Sequence, residues 1–65
     1  MTLTTRQREV LHHVAQGMTN KRIANVLGIG ERTVDRHLDN AFQRLGVRNR
    51  LAAVVRAGIL RGSGP

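Results

Sequence analysis

His12, His13 and His37 are the side chains of this chain best suited to holding a metal ion or moving a proton. Their spacing defeats both uses. Adjacent His12 and His13 project about 100° apart on a helix, so they do not close on one ion as an i, i+4 pair does. The chain has no cysteine and only four carboxylates, so neither a thiolate nor a carboxylate set completes a site. Asp35 and Asp39 share one exposed helix face and not a pocket. There is no Ser-His-Asp logic and no glycine-rich loop that cradles phosphate. The chemistry therefore reads as binding, not catalysis, with no cofactor and no metal; His37 reads as a packed or phosphate-facing residue.

The residues that remain are the cations. Eleven Lys and Arg against four Asp and Glu give a formal net charge of +7 in 65 residues, with a sequence pI near 12.0. An excess of that size on so small a domain is the electrostatic footprint of a polyanion-binding surface, although a merely soluble basic surface would look the same on charge alone. Phe42 is the one aromatic residue. Binding of single strands or RNA by base stacking needs aromatic platforms, which leaves duplex nucleic acid as the better fit. The absence of cysteine fits a reducing, cytoplasmic compartment, and no apolar run reaches membrane-spanning length.

Elements must position these cations, and the pattern supplies four helices in one domain over residues 1–65. The helices are expected at roughly 5–16, 20–27, 31–45 and 50–60, with a flexible tail over 61–65. Thr4 and Gln7 form a capping box for the first helix, whose buried stripe is Val10, Leu11, Val14 and Ala15; Gly17 stops it. Thr19 caps the second helix, with Ile23, Ala24 and Leu27 inward and Gly28 at its end. Asn20, Lys21 and Arg22 occupy its first turn, where the helix dipole favours anions over cations; a phosphate placed there would resolve the conflict. Gly28, Ile29 and Gly30 make a short turn, with Ile29 as its apolar plug, into the third helix. Two helices so joined, the second longer, are a helix-turn-helix.

The third helix organises the rest. Val34, Leu38, Ala41, Phe42 and Leu45 form one apolar stripe, and Arg32, Asp35, Arg36, Asp39, Gln43 and Arg44 lie opposite. Gly30 is an acceptable N-cap and Gly46 ends the helix. Asn49 then caps a fourth helix that is apolar almost all round. One side covers the core, which leaves Ala52, Val55 and Ile59 for a second contact, read as a dimer seam; a terminal helix simply buried more deeply is the alternative.

The assembled residues resemble the LuxR/GerE-type helix-turn-helix: Leu3-Thr4, Arg6, Arg8 to Leu11, Ala15, Gly17, Thr19 to Lys21, Ile23-Ala24, Leu27, Ile29, Thr33-Val34, His37, Asn40, Leu45 to Val47, Arg50 and Ala53-Val54. The ordered set, from Leu3 to about Leu60, is specific where single pieces are not. Region 4 of bacterial sigma factors shares the first three helices, but Leu45 to Arg50 leading into a fourth helix looks like the LuxR type. The resemblance implies an all-α domain serving as the C-terminal output domain of a transcriptional regulator, such as a response regulator. It also implies dimerisation through the fourth helix and a separate N-terminal sensory domain, for which a 65-residue chain has no room.

On that resemblance the DNA-binding residues are Thr19, Asn20, Lys21, Thr33 and Arg44 for positioning on phosphates, with readout from Val34, Arg36, Asp35 and Asp39. The chain departs from the family pattern at Gly30, where Ser is usual, at Arg22, where Glu is usual, and at Asp35, where Lys or Arg is usual. Asp35, taken to lie in the first turn of the third helix, and Asp39 would repel phosphates unless each meets a cytosine amino group. A degenerate helix-turn-helix used for protein contact, for example with RNA polymerase or a partner regulator, is the competing class, and these two acids are its best support.

Overall fold

The computed structural model describes residues 3–59 and builds them into four helices: α1 (Thr5–Ala15), α2 (Asn20–Leu27), α3 (Glu31–Leu45) and α4 (Arg50–Arg56). No strand occurs among the described residues, and the fold is all-α. Each start has a local cause. Thr4 and Gln7 close a reciprocal capping box, with Gln7 N donating to Thr4 Oγ1 at 3.1 Å and Thr4 N to Gln7 Oε1 at 3.0 Å. Thr19 Oγ1 accepts from Arg22 N at 3.2 Å and Asn49 Oδ1 from Ala52 N at 2.8 Å. Gly30 precedes α3 with no side-chain cap.

All four helices end the same way, in a Schellman turn. A glycine in the left-handed region follows each (Gly17, Gly28, Gly46 and Gly58), and the next residue donates its N–H back to the helix, as from Ile29 to Ala24 O and from Val47 to Phe42 O, each at 3.0 Å. Those next residues, Met18, Ile29, Val47 and Ile59, all pack against the core. Every chain reversal is thus also an apolar plug.

This device corrects the extent of the fourth helix, expected to reach residue 60. It stops at Arg56, because Gly58 takes φ +77 and Ile59 N turns back to Val54 O at 3.0 Å. Leu60 and the tail at 61–65 lie outside the described residues.

The core is one cluster, with Val10, Leu11, Ile23, Val34, Ala41 and Ala53 fully shielded from solvent. α1 and α3 pack on each other, and α2 and α4 each pack on both of them; α2 and α4 share no helix–helix packing. The longest helix is therefore held along its inner face by all three others.

Candidate nucleic-acid interface

α3 has two chemically distinct sides. Val34 and Ala41 are 0% exposed and Leu38 4%, which fixes the helix's rotation about its axis. At 3.6 residues per turn, Arg36 and Gln43 then point away from the core, flanked by Arg32, Asp39 and Asn40; all five are exposed. Arg44 and Thr33 are exposed on the flank. Beside them a surface concavity is lined by Gln7, Asn40, Gln43 and Arg44, with no carboxylate among the four. Such a surface is rich in donors and favours an anionic, hydrogen-bonding partner.

Val34 does not belong to this face. Its readout role is corrected by its burial: the same periodicity that aligns it with Leu38 and Ala41 turns it wholly inward, where no base edge can reach it. A second correction concerns Asp35. α3 begins at Glu31, which is its first-turn acid, so Asp35 lies one turn on. It therefore gains little from the helix dipole, whose effect is confined to the terminal turn.

Asp35 and Asn20 have partners inside the molecule. Asn20 Nδ2 donates to Asp35 Oδ1 at 2.5 Å, and Arg50 Nη2 donates to Asn20 Oδ1. Asn20 thus meets both α3 and α4 through its side chain. Lys21 and Arg22 remain exposed beside it in the first turn of α2, and Thr19 is exposed at the cap. Asp39 is exposed on α3.

Sequence reasoning assigned no site role to Arg50 or Leu51. Arg50 meets Asn20 across 30 residues of chain, and nothing local signals that contact. Leu51 had a signal: it precedes Val55 by four residues, so the two share a helix face. They are 65% and 50% exposed. Ala52 is half-buried, and Ile59 sits in the closing turn against the core rather than on a helix face. The exposed apolar pair of α4 is therefore Leu51 and Val55, and of the expected seam residues Ala52, Val55 and Ile59 it includes only Val55.

His12 is exposed, and His13 has a buried Nδ1 with no hydrogen-bond partner. Among the described residues no three His, Cys, Asp or Glu side chains cluster as a metal site, and no helix is long and apolar enough to cross a membrane.

Comparison with known proteins accords with this geometry. Residues 1–57 match the family described as bacterial regulatory proteins, luxR family. Nitrate/nitrite response regulator protein NarP of Escherichia coli is 51% identical over 53 residues, covering 82% of this chain and 25% of NarP. Transcriptional activator protein AnoR of Acinetobacter nosocomialis is 45% identical over 58 residues, 89% of this chain and 24% of AnoR. Spore germination protein GerE of Bacillus subtilis is 51% identical over 53 residues, 82% of this chain and 72% of GerE. The chain thus spans about a quarter of the length of NarP and AnoR and most of GerE. It belongs to the LuxR family of bacterial regulatory proteins, as a helix-turn-helix domain.

Proposed function

We propose that this LuxR-family domain is the output domain of a transcriptional regulator and that it binds duplex DNA with α3 in the major groove. One observation carries the reading: α3 is fixed by its buried stripe while its opposite face presents Arg32, Arg36, Asn40, Gln43 and Arg44 to solvent. A rigid helix with donors on one exposed side suits the groove, whose base edges offer acceptors. Arg36 is the candidate for guanine O6 and N7, and Asp39 for a cytosine amino group. Thr19, Lys21, Thr33 and Arg44 would hold phosphates and set the register. The exposed Leu51–Val55 pair supports assembly as a homodimer on two half-sites. Work on chromosomal DNA would place the regulator in the cytoplasm.

The test is a salt titration of duplex binding. The DNA reading predicts that log K falls against log salt with a slope of several units, because each neutralised phosphate releases condensed counterion. A folded domain that binds no duplex at low salt would defeat it and favour the protein-contact reading, with RNA polymerase or a partner regulator as the target.

A further inference from the structure

We infer that Asn20, Asp35 and Arg50 form a bridge that fixes the recognition helix relative to α4, and that Asp35 serves DNA discrimination as a positioning residue. This rests on the proposed DNA-binding function and concerns how the same surface is aimed. The bridge joins three helices: Asn20 opens α2, Arg50 opens α4, and Asp35 lies near the start of α3. α2 and α4 share no helix–helix packing, so the hydrogen bond from Arg50 to Asn20 Oδ1 links two elements that otherwise meet only through α1 and α3.

The polarity of the bridge is self-consistent. The Asn20 carboxamide turns its oxygen to a guanidinium and its NH2 to a carboxylate, at 2.5 Å. Each bond is charge-assisted, and each polarises the amide in the sense that strengthens the other. A Lys or Arg at position 35 would set donor against donor, so the acid at this position has a structural reason independent of DNA. Its direction agrees. Asp35 lies about 100° around the helix from Arg36, toward α2 and away from the outermost line of α3. A carboxylate whose Oδ1 accepts from Asn20 in that direction is turned from the outermost line of α3 and well placed to set the roll of that helix. Arg36 on the next position would then reach the base edge at an angle that α2 and α4 help to determine.

The test measures wild type, Asp35→Ala, Asp35→Asn, Arg50→Ala and the Asp35→Ala/Arg50→Ala double variant of the 65-residue chain. The probes are a duplex enriched from a random pool by the wild type and a scrambled duplex of equal length. Circular dichroism corrects each affinity for the folded fraction. Asp35→Ala should lower the preferred-to-scrambled affinity ratio about tenfold, the scale of one misread base pair. Asp35→Asn keeps a weaker, neutral acceptor for Asn20 and should stay within about twofold of the wild-type ratio, since the bridge persists and the change of charge acts equally on both duplexes. Arg50→Ala should lower the ratio too; any phosphate contact it loses cancels between the duplexes. The double variant should be no worse than the worse single one, because both break one unit. In the free domain, NMR should show the Asn20 side-chain amide protons exchanging slowly in wild type and Asp35→Asn and faster in both alanine variants. A changed base preference in Asp35→Asn would identify Asp35 as a base reader and overturn the inference. So would additive losses, or an unchanged ratio in Asp35→Ala. A wild type that binds neither duplex would overturn the DNA reading itself, whereas a binding wild type with unaffected variants would overturn only the bridge.

Discussion

Arg36 carries the sharpest expectation at the scale of single residues. It is the exposed cation most directly opposed to the buried stripe of α3, and Arg36→Ala should lower affinity for the preferred duplex by about 1–3 kcal/mol and flatten base preference at one position. Selection from a random pool with the variant checks this; a uniform loss at every sequence would make Arg36 a phosphate contact instead. Val34→Ala should behave oppositely. It removes two buried methyl groups, costing about 2 kcal/mol of stability once transfer and cavity terms are counted, while base preference at any given folded fraction stays unchanged. Urea unfolding and the same selection separate the two effects. The periodicity behind both was legible in the sequence, where Val34 aligns with Leu38 and Arg36 does not; the readout role that the family resemblance implied for Val34 ran against it. The engagement of Asn20 was not legible. Its partners lie 15 and 30 residues away, and only the packing of three helices brings them together.

Element boundaries were legible where a residue type forces the backbone. Thr4, Thr19 and Asn49 accept the cap bonds their chemistry suggests, and Gly17, Gly28 and Gly46 turn the chain with positive φ. The end of α4 was obscured because its apolar run continues past the glycine. Hydrophobicity there reflects a plug residue, Ile59, packing back on the core rather than another helical turn. Two substitutions test this account of the ends. Gly46 has φ +69 and open space where a Cβ would stand, so Gly46→Ala should cost about 1–2 kcal/mol through backbone strain alone. Gly30 has ordinary φ and equal room. Gly30→Ser should therefore stabilise the domain by about 0.5–1 kcal/mol, through a new cap and a less flexible unfolded chain. Thermal unfolding of the two variants should move in opposite directions; a shift of the same sign in both would contradict the assignment.

At the scale of the whole molecule, the other three helices hold α3 along its inner face, and the surfaces left open include the polar face of α3 and the Leu51–Val55 pair of α4. If the pair is a self-association seam, Val55→Glu should weaken binding to a two-half-site duplex much more than to a single half-site, and equal losses on both would assign Val55 to the monomer alone. The polar face is the central claim. Its most direct test is the map of backbone amide shifts as a short duplex is titrated into the labelled domain at low salt. The account predicts the largest changes along Arg32, Arg36, Asp39, Asn40, Gln43 and Arg44 and at the α2 start around Lys21, with Leu51 and Val55 little moved by a single half-site. Changes confined to α4, or none on the outer face of α3 despite measurable binding, would contradict it.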